Sequence, residues 1–348
     1  MHSLASKNIA WNQQIFYTGC DIEINSRQEL VVIQKDKDFL IDVAKKYYFE
    51  GLSQQQIANF FSISRPSVSN LLKQCRKEKI VDIRIQESES SLVNALSERL
   101  KKDFNLKSVV VVPSKNDPGD TLAAAGAAAA KLFESKLKNN MRIGLSWGSS
   151  LYQVVEAIPQ QSSVDMEIIQ LVGSLGMANP SFDGFELARE LSRKVNGSYH
   201  LIQAPVVVKN IKLKKLLLQE HPISDTIKKM NRIDLALVGI SSDIPEHSSM
   251  VREGFISIKE ASQIQSLGGK GHICGYHFNK DGNLMDIPEN KGIIGIDINQ
   301  MQNIPQVIGV ACGSEKAEAI LGAIRSGLIN GIVTDENTIL KILSSVKN

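Results

Sequence analysis

Two places in the second half of the sequence have the residue types that bind a phosphate or a carboxylate. The first is residues 143–151, where Gly148, Ser149 and Ser150 follow an apolar stretch and begin a helical pattern. Glycine lets a ligand approach the backbone closely, and the serines add hydroxyl donors. The free N–H groups and the dipole at a helix start favour an anion. The pattern therefore predicts an anion site, although a Gly-Ser turn can also be a plain helix cap.

The second place is residues 309–316, which end in Gly313-Ser-Glu-Lys316. Gly313 can open a turn, and Lys316 falls in the first turn of the helix that follows, where a cation gains nothing from the helix dipole. This position indicates that Lys316 faces an anion, with a solvated lysine as the alternative. Ligands of open parallel sheets bind beyond the carboxyl ends of the strands. We therefore expect the two turns to form one phosphate or carboxylate pocket.

Other polar residues are weaker candidates. Asp183, Asp243 and Glu246 lie in polar loops that could line a pocket, and a solvated loop carboxylate is the alternative for each. The segment 272–277, His-Ile-Cys-Gly-Tyr-His, superficially resembles a metal cluster, but we expect one strand and one turn there. We predict no metal and no cofactor.

The sequence also contains a G-x-S-x-G pattern at residues 144–148, the arrangement around the nucleophile of many hydrolases. An Asp and a His in convincing context do not follow it, so a hydrolase is a minor alternative. Neither a G-x-x-x-x-G-K-[ST] run nor a clean G-x-G-x-x-G run is present.

A different chemistry is indicated at residues 51–77, which we predict to form two helices joined by a tight turn. Ser53 and Ser64 can cap the helices, and Pro66 lies near the first position of the second. The residues expected to face inward are Ile57, Ala58, Phe60 and Phe61, then Val68, Leu71, Leu72 and Cys75. The opposite face of the second helix carries Arg65, Ser67, Ser69, Asn70 and Lys73. Such a helix can enter the major groove of DNA; the alternative is a helical hairpin with a solvated basic face.

Charge and cysteine usage agree with this interpretation. Residues 37–86 contain nine Lys and Arg against five Asp and Glu, a net charge of +4, so the rest of the chain carries −1 of the total of +3. Positive charge beside the two helices suits phosphate contact. The 4 cysteines lie far apart, which fits a reducing cytoplasm rather than a disulfide framework or a zinc site. We see no membrane span and no signal peptide, so we expect a cytoplasmic protein.

The 348 residues are enough for two or three domains. Hydrophobic periodicity predicts helices over 38–49 and 87–104 and a strand over 80–86. Further strands are predicted at 109–112, 142–145, 167–171, 201–204, 234–239, 293–296, 306–311 and 331–334. They alternate with helices at 121–137, 185–195, 314–325 and 336–343. We therefore predict an α/β protein: an extension of unknown structure (1–36), an all-α helix-turn-helix domain (37–86), and a linker helix with a mostly parallel sheet domain (87–348).

Together these motifs resemble the SorC family of sugar-binding transcriptional regulators, also called SorC/DeoR. The resemblance covers about residues 38–345 and consists of six motifs in order. They are L-S-Q-Q-Q-I-A with S-R-P-S-V-S-N-L-L-K, then G-L-S-W-G-S-S-L, D-L-A-L-V-G-I, G-G-K-G-H-I-C-G-Y-H-F, P-Q-V-I-G-V-A-C-G-S-E-K-A-E-A-I and G-I-V-T-D-E. It implies a helix-turn-helix domain joined to an effector domain similar to sugar-phosphate isomerases, a tetramer, and a phosphorylated sugar as inducer.

By this resemblance, Ser149, Ser150 and Lys316 match the positions that hold the phosphate of the effector. Three positions depart from the family pattern. His272 stands where an acidic residue is common, residues 241–243 are Ser-Ser-Asp where an arginine is frequent, and residues 173–174 are Gly-Ser where a double glycine is common. These positions contact the sugar portion in the family, so the usual ligand identities do not transfer to this chain.

The leading hypothesis is a DNA-binding regulator of a carbohydrate operon, not an enzyme, whose partners are operator DNA, a sugar or sugar-phosphate effector and further copies of the chain. An enzyme similar to sugar-phosphate isomerases, with an accessory DNA-binding domain, is the alternative. A third hypothesis is an architectural DNA-binding protein with a vestigial pocket.

Overall fold

The computed structural model describes residues 28–81, 91–160, 165–174 and 178–346. The chain divides into two compact units, Met1–Glu87 and Ser88–Asn348. Between residues 28 and 81 the first unit contains α1 (Gln28–Tyr48), α2 (Gln54–Phe61) and α3 (Arg65–Lys77). The helix predicted over 38–49 is therefore the second half of a longer helix, which begins inside the segment that we assigned to the N-terminal extension.

The caps of α2 and α3 follow from local sequence. Ser53 and Gln56 form a capping box at α2, because each side chain hydrogen-bonds the backbone N–H of the other residue. At α3 the Ser64 side chain accepts from the N–H of Ser67 at 3.2 Å, and Pro66 lies in the first turn. Two serine caps separated by a short turn thus determine where both helices begin.

The helices of the first unit enclose a small apolar core. Its fully buried members are Val43, Ile57, Ala58, Val68 and Leu72. The expectation that Phe60 faces inward is wrong, because its side chain is 62% exposed. Its ring lies 3.9 Å below Nζ of Lys46, a cation–π contact at the surface.

The segment after α3 differs from the predicted strand over 80–86. Ile80 and Val81 lie in a turn and pack against Leu40, Ala44 and Cys75. Residues 82–86 of that prediction lie outside the described residues.

The second unit is an α/β structure. Its strands are β1 (Ser108–Val112), β2 (Arg142–Leu145), β3 (Glu167–Gln170), β4 (Ser198–His200), β5 (Leu235–Gly239), β6 (Ser241–Ser242), β7 (Gly269–Ile273), β8 (Tyr276–Asn279), β9 (Gln306–Val310) and β10 (Gly331–Asp335). Seven of them form one sheet in the order β1-β10-β9-β5-β2-β3-β4, and every pairing in it is parallel. Strands β6, β7 and β8 form a small antiparallel sheet. The predicted mostly parallel α/β fold is confirmed.

Helices cover both faces of the large sheet, since two separate apolar clusters contain alternate residues of its strands. The helices of this unit are α4 (Ser91–Asp103), α5 (Pro118–Glu134), α6 (Ser149–Ala157), α7 (Gly184–Lys194), α8 (Ile211–Leu217), α9 (His221–Lys229), α10 (Ser249–Arg252), α11 (Ile258–Ser266), α12 (Pro288–Gly292), α13 (Ile298–Gln302), α14 (Ala317–Arg325) and α15 (Glu336–Val346). In the described part of the chain, no helix is both long and apolar enough to cross a membrane.

Two predicted strands are wrong. Residues 201–204 follow β4 and leave the sheet, because the Ile202 N–H donates to the side chain of Gln170 at 2.9 Å instead of to a strand. Residues 293–296 form only isolated bridges, in which Ile293 pairs with Val207 and Gly295 with Val172. Both segments are apolar because they are buried in the core, and burial without periodicity does not distinguish a strand from an extended core segment.

Candidate functional site

The carboxyl ends of β9, β5 and β2 are neighbours in the large sheet, and the turns that follow them surround one cavity. The space measures about 480 Å³, including its opening to solvent. The cavity is lined by Ser146, Trp147, Ser150, Gly239, Ile240, Ser241, His247, Ser249, Arg252, His272, Cys274, Gly275 and Lys316. Its position agrees with the rule for ligand sites of open parallel sheets.

The turn after β2 presents a helix start to this cavity. Gly148 is the residue before α6 and has φ +117° and ψ 168°, a conformation that residues with a side chain rarely adopt. No side chain caps α6, so the N–H groups of its first turn are left for another partner. Ser150 lines the cavity, and Ser149 is the first residue of the helix. The helix start is therefore suited to an anion.

The turn after β9 supplies a cation. Gly313 has φ +108°, and its N–H donates to the Asp335 carboxylate at 2.8 Å, which fixes the turn. Lys316 follows in a short 3-10 turn and lines the cavity. Among the described residues no carboxylate lies within ion-pair distance of its Nζ. Burial lowers the pKa of Lys316, the attraction of Glu315 opposes this, and repulsion from Arg252 adds to the lowering.

A second, neighbouring cavity shares Lys316 and His247 with the first. Its other lining residues include Thr121, Gly313 and Asn337. Lys316 thus lies between two openings, and an anion bound at α6 can contact it from the first.

Behind the cavity, two histidines share one carboxylate. Oδ1 of Asp243 lies 2.9 Å from Nδ1 of His272 and 2.8 Å from Nδ1 of His277. Burial by itself raises the pKa of Asp243, but His277 and His272 outweigh it and hold that pKa at about 2. Burial lowers the pKa of His272, so this imidazole is neutral at pH 7. Since the ionised carboxylate only accepts, both Nδ1 atoms carry hydrogens.

The tautomer of His272 determines what the cavity wall offers. With hydrogen on Nδ1, its Nε2 accepts from the Ser249 hydroxyl, 2.9 Å away. The Ser249 N–H in turn donates to Oγ of Ser241 at 2.9 Å. A buried carboxylate therefore orients, through His272, two hydroxyl groups that line the cavity.

The donor atoms of Asp243, His272 and His277 lie within 4.8 Å of one another, so this trio could also hold a metal ion. A metal would have to replace the two hydrogen bonds to Oδ1, because both imidazoles already use Nδ1 for them.

The structure brings Ser150, Lys316 and His272 to the cavity and leaves Asp183 away from it. Asp183 caps α7 by accepting from the Phe185 N–H at 2.8 Å, and it also accepts from Ser174. Its carboxylate thus has a structural explanation. The candidates that we missed are Trp147, Ser241, His247, Ser249 and Arg252.

Local sequence carries little signal for the missed residues. Arg252 ends a four-residue helix in a polar stretch, and Trp147 was part of the G-x-S-x-G motif without being singled out. As for that motif, the Ser146 hydroxyl oxygen accepts from the Gly239 N–H at 3.2 Å. In the described residues no histidine or carboxylate hydrogen-bonds Ser146, so the base that a hydrolase requires is not placed there.

In the first unit, α3 has the two faces that the spacing predicted. Val68, Leu72 and Cys75 are buried, and the Cys75 thiol donates to the Leu40 carbonyl at 3.2 Å. Of the predicted DNA-contacting residues, Arg65, Ser67, Asn70 and Lys73 are exposed and Ser69 is half-buried. In the described residues the side chains of Arg65, Asn70 and Lys73 make no ion pair, so their polar groups are available to a partner.

The comparisons with known proteins agree with this arrangement. The Sugar-bind family model, described as "Putative sugar-binding domain", matches residues 89–344. The chain belongs to this sugar-binding family. The family's domain therefore includes the whole cavity, and the resemblance to SorC-type regulators is confirmed.

Named relatives in this family are transcriptional regulators rather than enzymes. The sorbitol operon regulator of Klebsiella pneumoniae is 28% identical over 311 residues, which are 87% of this chain and 96% of that protein. The deoxyribonucleoside regulator of Bacillus subtilis is 26% identical over 86% of this chain and 95% of its own length. The crystal structure of full-length SorC from Klebsiella pneumoniae matches with a TM-score of 0.78 at 27% identity, covering 88% of this chain and 99% of that one.

Proposed function

We propose that this protein is a transcriptional regulator of a carbohydrate operon whose affinity for operator DNA is controlled by a sugar or sugar-phosphate effector. The observation that carries the proposal is the pairing, at one cavity, of the uncapped start of α6 with Lys316, a cation that has no carboxylate partner in the described residues. A phosphate group would supply the missing partner of both.

The output end of this regulator is α3. Its exposed polar face, with Arg65 and Asn70, enters the major groove, and the serine caps hold the helix start in place. The named relatives regulate sorbitol and deoxyribonucleoside operons, which supports a carbohydrate signal for this chain as well. By resemblance to the SorC family the protein is a cytoplasmic homo-oligomer, a tetramer, on paired half-sites.

Effector control follows from differential binding. If the quaternary arrangement that binds DNA and the one that does not differ in affinity for the effector, ligand shifts the equilibrium between them by that difference. A coupling of about 1–3 kcal/mol corresponds to a change in DNA affinity of about five- to 150-fold.

The test uses the full chain and DNA fragments selected from genomic DNA. Fluorescence anisotropy would measure DNA affinity with and without sugars and their phosphates. We expect one or more phosphorylated compounds to change the affinity at least fivefold. Lys316→Met should abolish that response and keep the DNA affinity of the ligand-free protein, whereas Lys341→Met, which removes an exposed lysine of α15, should behave as wild type. A response that survives in Lys316→Met would contradict the proposed site.

A further inference from the structure

The cavity contains donors and cations but no carboxylate. None of the described residues that line it is Asp or Glu, and the masked gap at 175–177 is Leu-Gly-Met. The nearest carboxylates are engaged elsewhere. Asp243 accepts from both histidines, while Glu315 and Asp335 line the neighbouring cavity. A ligand in the cavity therefore meets hydroxyl groups, imidazole, indole N–H and two permanent cations.

The second cation, Arg252, is held in a defined orientation. Its Nε donates to Oε1 of Glu253 at 3.2 Å, and Glu253 is buried and accepts through Oε2 from the Asn179 N–H at 3.1 Å. This contact leaves the two terminal nitrogens of the guanidinium without a hydrogen bond in the part of the chain that the structure describes. A buried carboxylate thus positions Arg252 at the cavity without occupying the paired N–H groups that bind oxyanions.

Trp147 supplies an unused donor on the same cavity. Its Nε1 is buried and has no hydrogen-bond partner among the described residues, although Trp147 is only 7% exposed and packs against Phe255. An indole N–H can only donate, and a buried donor without a partner is unfavourable. The indole therefore requires an acceptor, and the cavity is the place from which a ligand can offer one.

These groups select the chemical class of the ligand. A sugar hydroxyl both donates and accepts, and a site for neutral hydroxyls needs acceptors such as carboxylates. Arg252 and Trp147 instead match a group that only accepts and carries charge. Lys316 and the start of α6 already suit a first anionic group. On the basis of the proposed function, we propose that the effector carries a second anionic group, a carboxylate bound by Arg252 and Trp147, and is thus a phosphorylated sugar acid.

Matched pairs of probes test this inference with the full chain by isothermal titration calorimetry. Each pair is an aldonate phosphate and the polyol phosphate with the same carbon chain, from four to six carbons, so that a carboxylate replaces one CH₂OH group. The sugar bisphosphates of the same lengths form a third arm. We expect at least one acid to bind about ten- to a hundredfold more tightly than its polyol partner, the range for one charge-assisted hydrogen-bonded contact.

Variants assign the preference to the residues named. Arg252→Gln and Trp147→Phe should each reduce the preference for the acid and leave the affinity for the polyol phosphate nearly unchanged. Arg232→Gln, at an exposed arginine without an ion pair in the described residues, is the matched control. Because the Arg252 side chain is 54% exposed, its replacement should not unfold the protein, and circular dichroism with thermal melting would verify this.

The outcomes separate the inference from the proposed function. Equal binding of acid and polyol phosphates, lost in Lys316→Met, would overturn the carboxylate and leave the phosphate-responsive regulator intact. Tightest binding of a bisphosphate, lost in Arg252→Gln, would overturn the sugar acid and replace it with a bisphosphorylated sugar. If no probe binds, or if binding is unaffected by Lys316→Met, the inference and the phosphate site of the proposed function both fail.

Discussion

Nδ1 of His272 lies 2.9 Å from Oδ1 of Asp243, and so a carboxylate excluded from the cavity orients a histidine that lines it. The two residues belong to neighbouring strands of the small antiparallel sheet or its edge, since Ser241 and Ser242 pair with His272 and Gly271. Negative charge is thus stored behind the cavity wall, while the wall itself shows donors and cations to a ligand. This relationship makes the site selective for anions without leaving Asp243 unpaired.

The first prediction concerns Asp243→Asn. The pKa of Asp243 falls from 3.8 in the unfolded chain to about 2 in the folded protein, so the carboxylate contributes stability above pH 3.8 and loses it as pH falls toward 2. We expect the variant to lower the free energy of unfolding by about 2 kcal/mol at pH 7. The difference from wild type should narrow below pH 3.8. Urea unfolding at several pH values would measure it.

The control for this prediction is Asp165→Asn, which changes an exposed carboxylate and should leave stability within about 0.5 kcal/mol of wild type. A stability difference for Asp243→Asn that stays constant from pH 7 to pH 3 would show that the charge of Asp243 is not what stabilises the protein.

His272 has the opposite linkage. Burial lowers its pKa from 6.5, so below that pH the unfolded chain binds a proton that the folded protein does not. We therefore expect the stability of wild type to decrease as pH falls from 7 to 5, and the decrease to be smaller in His272→Gln. Thermal melting across this pH range would compare the two, with His221→Gln, an exposed histidine of α9, as the control. Parallel pH profiles of wild type and His272→Gln would refute the assignment.

Gly148 tests whether the backbone of the turn matters for anion binding. Its φ of +117° is strained for alanine, although an added Cβ would meet no atom within 4 Å. We expect Gly148→Ala to destabilise the protein by about 1–3 kcal/mol and to weaken binding of phosphorylated ligands, because the turn and the start of α6 must shift.

Gly327→Ala is the matched control for this turn. Gly327 also has a positive φ, +69°, and open space around it, but it follows α14 and does not line the cavity. It should lower stability and keep ligand affinity. If Gly148→Ala melts earlier and still binds phosphorylated ligands like wild type, the α6 start is not the anion site.

Arg65 tests the groove assignment of α3. It is the first residue of the helix, exposed, and without an ion pair in the described part of the chain. We expect Arg65→Ala to abolish discrimination between operator and random DNA, a loss of about 1–3 kcal/mol per base contact, with effector binding intact. Lys259→Ala, at an exposed position of α11, removes the same charge and should retain discrimination. A variant that still selects the same operator with equal preference would show that α3 does not contact the bases at Arg65.

What the sequence determined by itself is local. Serine caps, proline at a helix start and apolar spacing predicted α2 and α3, and fully apolar strands between helices predicted a parallel sheet. The turns at Gly148 and Gly313 were visible for the same reason, because a helix start and a positive φ depend on adjacent residues.

Only the tertiary structure decided which polar groups meet. Arg252, Trp147 and Lys316 lie far apart in the chain and reach one cavity because β2, β5 and β9 are neighbours in the sheet. The contact of Asp243 with His272 and His277 likewise depends on strand pairing across 29 and 34 residues. Helical spacing had also predicted Phe60 to be buried, but packing left it 62% exposed. Periodicity reports which face of an element is apolar, whereas contacts between elements depend on the topology that joins them.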